Sequence, residues 1–207
     1  HWPRKGSILV VSGNAGSGQS VLMNRLECQA AASAAEVDLI DVGKDATDYI
    51  GIRESPSSVA TTGNGAIELL QRLAVTPVAA PAVLFIDYAF SLFVAIDGFH
   101  SAIRKVSEAG VPIVVAGQRT DLALPHDLFD RADRILVGKT SSHQRTSFFR
   151  STKAASIEGL RFRGVLEAGN GTVTHLDLPP VDRADSKTIP DSLMNKLSRI
   201  SLGGLKP

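Results

Sequence analysis

The segment that most restricts the fold of this chain is ILVVSGNAGSGQSVLMNRL, residues 8–26. Its first part, ILVVSG (8–13), is apolar at consecutive positions, which predicts a strand buried on both faces, as in a parallel sheet. The segment 20–36 is rich in good helix formers and predicts a helix directly after the loop. A buried strand, a glycine-rich loop and a helix in succession form the first half of a β-α-β unit.

The loop itself, GNAGSGQS (13–20), has the glycine spacing of a phosphate-binding loop. In the pattern G-x-x-x-x-G-K-[ST], backbone N–H groups and the helix N-terminus hold phosphate oxygens, and the hydroxyl binds Mg²⁺. Ser20 is therefore also a candidate Mg²⁺ ligand. The alternative interpretation is an ordinary glycine-rich turn. The candidate residues for binding ATP or ADP are Gly13, Asn14, Ala15, Gly16, Ser17, Gly18, Gln19, Ser20 and Val21.

Gln19 occupies the position where this pattern requires a lysine. A neutral amide donates hydrogen bonds to phosphate, but it does not neutralise the charge that builds on the γ-phosphoryl group during transfer. This predicts that nucleotide binding survives and that hydrolysis suffers. Lys44 is a candidate displaced cation that would restore the missing charge; the simpler interpretation is an exposed loop lysine.

A second motif, VLFIDY (83–88), is an apolar strand that ends in Asp87. In phosphate-loop enzymes an aspartate at such a strand end helps to hold Mg²⁺, so Asp87 is the second candidate metal ligand. The alternative is an incidental acid at a strand end. A glutamate usually follows this aspartate and activates water, but here Tyr88 follows, and a neutral phenol is a poor base near pH 7. Two altered catalytic positions predict a domain that has lost hydrolysis.

The rest of the pattern alternates between strands and helices as far as about residue 150, which predicts an α/β domain with a mainly parallel central sheet. Function is expected at the carboxyl ends of the strands. Gln118 ends the predicted strand 111–119 and would lie beside Asp87 if their strands are neighbours. There it is a candidate sensor of the γ-phosphate, or else a polar strand terminus. The further predicted strands are 37–42, 81–88 and 134–138, and the further helices are 64–75 and 94–109.

The pattern changes near the C-terminal end. Residues 161–168 and 172–178 flank the turn GNG and predict an antiparallel hairpin that completes a domain over 1–180. The remaining segment, 181–207, is polar and is expected to be a peripheral tail. Since the chain begins shortly before its first strand, we expect a domain that belongs to a larger protein.

Composition restricts the function less than the motifs do. The 207 residues carry a formal net charge of +1 and 5% aromatic residues, which weighs mildly against a nucleic-acid interface. A single cysteine, Cys28, excludes an intramolecular disulfide and, without a Cys/His cluster, disfavours zinc. Arginines in 131–134 and 143–150 are candidates to act on a neighbouring subunit, although we favour an ordinary solvated face.

With these residues in place, the chain resembles the FtsK/SpoIIIE/HerA branch of RecA-like P-loop ATPases over residues 7 to about 180. The resemblance departs from the family pattern at Gln19, Tyr88 and Ser91. It rests on the following segments, in order: ILVVSGNAGSGQSVLMNRL, LIDVGKD, NGAIELLQRL, LFIDYAFSL, EAGVPIVVAGQRTD, RILVGKTSSHQRTSFF and RFRGVLEAGNGTVTHLDLP.

The resemblance implies a ring, commonly a hexamer, with ATP between subunits and with DNA or a secreted protein as cargo. Members include chromosome translocases, conjugative coupling ATPases and the EssC/EccC ATPases of type VII secretion, whose tandem domains include degenerate sites. It implies other ATPase subunits or tandem domains as partners. It also implies a cytoplasmic location at the inner face of a membrane, reached through other parts of a larger protein. A different class of function is an interaction module whose nucleotide site is empty or closed. A third hypothesis is an active DNA motor in which Lys44 or a residue of a neighbouring subunit replaces the missing lysine.

Overall fold

The computed structural model describes residues 5–33, 35–42, 58–75, 82–87, 96–118, 124–158 and 163–177. Its centre is an eight-stranded sheet with the order β3-β2-β4-β5-β1-β6-β7-β8. The strands are β1 (Ile8–Gly13), β2 (Glu36–Asp41), β3 (Ser58–Ala60), β4 (Ala82–Asp87), β5 (Ile113–Gly117), β6 (Asp133–Val137), β7 (Arg163–Glu167) and β8 (Val173–Asp177). The helices are α1 (Gln19–Ala32), α2 (Gly63–Val75), α3 (Phe99–Glu108), α4 (His126–Arg131), α5 (Ser142–Phe148) and α6 (Thr152–Ala155).

In the spatial order of the sheet, neighbouring strands from β3 through to β6 are parallel to each other. β7 is antiparallel to β6, and β8 is antiparallel to β7. This confirms the predicted α/β class, the mainly parallel sheet and the C-terminal hairpin. The hairpin pairs Arg163 with Asp177 and Glu167 with Val173. Sequence reasoning missed β3, α4 and α6, because three, six and four residues are too short to show a hydrophobic period. The predicted tail, 181–207, lies outside the described residues.

Two apolar layers cover the sheet, because successive strand residues point to opposite faces. On one face Leu22 and Met23 of α1 belong to the same buried cluster as Val11 and Phe85. On the other face Ile103 of α3 belongs to the buried cluster that also contains side chains of α2, β4 and β5. The alternation therefore assigns every strand-end side chain to the α1 face or to the opposite face.

The arginines near the C-terminal half of the sheet are structural. Arg134 is 2% exposed, so the expected solvated face is wrong for this residue. Its Nη2 donates to the carbonyl of Phe129 and its Nη1 to that of Phe148, each at 2.8 Å, and its guanidinium lies 3.9 Å from the Phe129 ring centroid. Arg145 and Arg150 also donate to backbone carbonyls of neighbouring segments. Because Arg134 is enclosed, it does not reach a neighbouring subunit.

Arg134→Met should destabilise the domain by about 2–4 kcal/mol, because it leaves two buried carbonyls without their charged donor. Urea unfolding followed by circular dichroism measures this change. Arg104→Met is the control, because Arg104 is an exposed residue paired with Asp127 and should matter little. Equal midpoints for the two variants would contradict a structural role for Arg134.

Candidate nucleotide-binding site

The glycine-rich loop lies at the carboxyl end of β1, a central strand of the sheet, and leads into α1. Gly16 and Gly18 have φ values of 74° and 98°, a left-handed conformation that glycine adopts without a steric penalty. The loop therefore needs glycine at these two positions. Gly18 is a fixed glycine of the pattern, whereas Gly16 stands at one of its variable positions.

The N-terminus of α1 is open to an anion. Gly18 is the N-cap residue, no side chain caps the helix, and the first turn contains no acidic residue. The first N–H groups of a helix have no partner within the helix, and the helix dipole favours negative charge there. By contrast, α5 has a complete capping box between Ser141 and Gln144. The open end of α1 has the chemistry of a phosphate site.

Gln19 uses its side chain within the protein. Its Nε2 donates to the carbonyl oxygen of Val11 in β1 at 3.1 Å, and the residue is half-buried. This contact fixes the first turn of α1 to the strand. The Gln19 side chain is neutral, so the loop contains no positive charge.

The loop packs tightly against the end of β6. Ser17 is buried, and a Cβ added to Gly138 would lie 2.7 Å from the Cβ of Ser17. A Cβ on Gly13 would lie 2.8 Å from the carbonyl oxygen of Val137. Because these distances are too short for any side chain, both glycines are required for the loop to sit where it does.

Gly138→Ala should therefore weaken nucleotide binding and cost roughly 1–3 kcal/mol of stability, since it combines a left-handed φ of 78° with a clash against Ser17. The matched control is Gly171→Ala, which has a φ of 83° but no atom within 4 Å of the added methyl group. Calorimetric titration with ATP and thermal unfolding test both variants. A nucleotide affinity reduced equally in both would contradict a specific contact between Gly138 and the loop.

Asn14 ties the loop to the segment that follows β6. Its Nδ2 donates to the carbonyl of Lys139 at 2.9 Å, and its Oδ1 accepts from Nε2 of Gln144 at 2.9 Å. Gln144 also belongs to the capping box of α5 with Ser141. Sequence reasoning missed Gly138, Lys139 and Gln144 as neighbours of the loop. The S-x-x-Q pattern at 141–144 predicts the start of α5, but it does not predict the contact with Asn14.

Asp87 ends β4 and is 5% exposed. It lies on the α1 face by alternation with Val83 and Phe85, and Asp41 of β2 is its register partner. Sequence reasoning missed two acids of this region, Asp41 and Glu27 of α1, both of which are buried. Burial, together with the negative charges of Asp87 and Asp41, raises the pKa of Glu27 to about 8.

Ser20 is exposed in the first turn of α1, on the helix that covers the face bearing Asp87. Among the described residues, no group of three His, Cys, Asp or Glu side chains forms a metal-binding cluster. A serine hydroxyl and a carboxylate, the donors of Ser20 and Asp87, are compatible in type with Mg²⁺, which usually takes one or two protein ligands together with phosphate oxygens and water.

Gln118 follows β5, and β5 lies between β4 and β1. The condition for placing Gln118 near Asp87, that their strands are neighbours, is met. The hydroxyl of Ser12 lies 3.4 Å from the carbonyl oxygen of Gln118. A pocket of about 220 Å³ is lined by Gln118 and Gly13 together with Thr140, His143 and Phe148, among others. Lys44, the candidate displaced cation, and Tyr88, which replaces the usual base, lie outside the described residues.

Solved structures share this fold. The genome packaging NTPase B204 of Sulfolobus turreted icosahedral virus 2, in complex with AMPPCP, is 19% identical; the match covers 84% of this chain and 98% of that chain, with a TM-score of 0.63. The pCW3 conjugation coupling protein TcpA with ATPgS is 15% identical over 93% of this chain and 65% of that chain, with a TM-score of 0.69.

The cytoplasmic domain of the Thermomonospora curvata type VII secretion ATPase EccC is 10% identical, with a TM-score of 0.58; the match covers 85% of this chain but 24% of that chain. No protein-family model and no curated protein matches this chain. None of the helices in the described part of the chain is long and apolar enough to cross a membrane. The chain has the RecA-like P-loop α/β fold of these solved structures.

Proposed function

We propose that this chain is the nucleotide-binding domain of an FtsK-type translocation ATPase and that it hydrolyses ATP slowly or not at all. The observation that carries the proposal is the open N-terminus of α1 beneath a glycine-rich loop, with Gln19 bonded to Val11 where a lysine is expected. The loop residues 13–21 bind the phosphates of ATP or ADP through backbone N–H groups. Ser20 and Asp87 hold Mg²⁺, and Gln118 senses the γ-phosphate.

The residues present fit this cofactor. The cradle contains two glycines in the left-handed conformation, and no acidic side chain at the helix start repels a phosphate. Bound Mg²⁺ would offset phosphate charge, which is the contribution that this chain's own loop lacks. Gln19 leaves the γ-phosphoryl group without a lysine, and Tyr88 replaces the usual base. Binding without efficient turnover follows from these two replacements.

We propose that the domain works as part of a larger ATPase assembly. The similar solved structures include a genome packaging NTPase, a conjugation coupling protein and a type VII secretion ATPase. We therefore propose other ATPase subunits or tandem domains as partners, in a ring such as a hexamer, with DNA or a secreted protein as cargo. We place the domain in the cytoplasm at a membrane that it reaches through other parts of a larger protein.

Nucleotide affinity and turnover of the purified chain test the proposal. Calorimetric titration with ATP and with ADP, each with and without Mg²⁺, should give saturable binding that Mg²⁺ strengthens. A coupled ATPase assay should show turnover well below the range of about 1–1,000 per second that is typical of enzymes. Brisk turnover would contradict the inactive-site part, and no binding at millimolar nucleotide would contradict the whole.

A second candidate function is an interaction module that does not bind nucleotide. The contacts of Gln19 with Val11 and of Asn14 with Gln144 favour it, because they use loop side chains internally. A solved structure of EccC ATPases 2 and 3 contains a signal sequence peptide; it is 12% identical to this chain, with a TM-score of 0.59. This function predicts no thermal shift with ATP and saturable binding of a secretion-signal peptide in fluorescence anisotropy.

A further inference from the structure

A nucleotide held by this loop needs a positive charge that the loop does not contain. Residues 13–21 include no lysine or arginine, and the Gln19 amide donates to Val11. A triphosphate carries several negative charges, and backbone dipoles at a helix end compensate them only partly. The missing positive charge must therefore come from a side chain near the loop but outside residues 13–21.

Lys139 lies in the turn that contacts the loop at two points. Its own carbonyl oxygen accepts from Asn14 Nδ2 at 2.9 Å. Gly138, the preceding residue, packs against Ser17 so closely that a methyl group there would lie 2.7 Å from the Ser17 Cβ. Because two consecutive residues of the turn contact the loop, the backbone of Lys139 is held beside the glycine-rich loop.

The Lys139 side chain has the exposure and the reach for this role. The residue is exposed, and a lysine ammonium extends about 6 Å from its Cα on a flexible stem. The carbonyl oxygen of Lys139 accepts from the side chain of Asn14, the second residue of the loop, so the loop residues next to Asn14 are within the range of an ammonium of this length. Lysine is a common phosphate-binding residue because it acts as a compact point charge without strict geometry.

Three arginines of this region are engaged within the protein, and one of them, Arg163, pairs with Asp177 at 3.0 Å. Arg145 of α5 donates to the carbonyls of Thr140 and Ala155 at 2.6 and 2.9 Å. Arg25 of α1 is 7% exposed and sits within the protein. Lys139 is thus the cation of the turn that combines an anchored backbone with an exposed side chain.

We infer that Lys139 pairs with the phosphates of a nucleotide in the loop and replaces the lysine that is missing at position 19. This inference rests on the proposed function and identifies a binding residue for it. The alternative is that Lys139 is an ordinary solvated lysine that does not contact the nucleotide. Lys153 of α6, which is also exposed, offers a matched control for that alternative.

The experiment measures binding of ATP and of inorganic tripolyphosphate by calorimetry, in the full chain with Mg²⁺. Lys139→Ala should weaken both ligands about tenfold, as expected for the loss of one cation–phosphate contact. Lys139→Arg should retain most of the affinity, and Lys153→Ala should change it less than about twofold. Raising the salt concentration should reduce the difference between wild type and Lys139→Ala, because exposed charges are screened.

A double-mutant cycle separates pairing with phosphate from a structural effect. In a Gln19→Lys background the loop has its own cation, so Lys139→Ala should cost less than about threefold. Equal losses in both backgrounds, or no loss with Lys139→Ala alone, would overturn the inference while leaving nucleotide binding intact. If the wild type binds neither ATP nor tripolyphosphate, the proposed function itself fails, and this inference fails with it.

Discussion

Gln19→Lys should tighten ATP binding about tenfold or more, and Gln19→Lys combined with Tyr88→Glu should raise ATP turnover by at least about a hundredfold. The first change places a cation at the start of α1, where the proposed function puts the phosphate oxygens of the nucleotide. The second supplies a carboxylate at the position of the missing base, and such a group contributes typically 10²–10⁴-fold. Calorimetry measures the affinity and a coupled assay measures the turnover.

Two controls separate charge from packing in this experiment. Gln19→Met removes the hydrogen bond to Val11 without adding charge, so it should not tighten binding. Tyr88→Glu alone should leave turnover low, because the γ-phosphoryl group still lacks its lysine. A double variant with unchanged turnover would show that the loss of activity extends beyond these two positions.

The stability of the wild type should fall as pH rises from about 5 to about 8, relative to Glu27→Gln. The pKa of Glu27 is raised to about 8 in the folded protein, first by burial and then by the charges of Asp87 and Asp41, against an ordinary value of 4.5. Between these values the folded state keeps a proton that the unfolded chain releases. The free energy of unfolding therefore decreases by about 1.4 kcal/mol for each pH unit in this window.

Urea unfolding of both proteins at pH 5, 6, 7 and 8 measures the effect. Near pH 5 the two should be similar, because a protonated glutamate and a glutamine are both neutral. At pH 8 Glu27→Gln should be the more stable by several kcal/mol. Glu108→Gln, at the exposed end of α3, is the control and should follow the wild type. Parallel curves for wild type and Glu27→Gln would contradict the buried, proton-holding carboxyl group.

Much of the fold was accessible from the sequence. The runs ILVVSG and VLFID are apolar at consecutive positions, which occurs where helices cover both faces of a parallel sheet. Both the strand-loop-helix succession and the GNG hairpin were predicted and are present. Glycine spacing also predicted the loop, because Gly18, a fixed glycine of the pattern, adopts a conformation that other residues rarely take.

The surroundings of the loop depend on residues distant in sequence. Asn14 and Gln144 are 130 positions apart, and Ser17 and Gly138 meet because β6 is the neighbour of β1 in the sheet. The three buried acids Glu27, Asp41 and Asp87 come from one helix and two strands, which are separate in sequence. No local pattern reports such contacts, because strand order is decided by how the whole chain packs.

The sequence by itself determined the glycine-rich loop and the two chemical departures, Gln19 within the loop and Tyr88 after Asp87, since these depend on which residue stands at a fixed place in a motif. Only the tertiary structure decided that Gln19 bonds to Val11, that Arg134 is buried and that Lys139 lies beside Asn14. The physical reason is that a local motif fixes backbone conformation, whereas burial and charge environment depend on segments that meet only in the folded sheet.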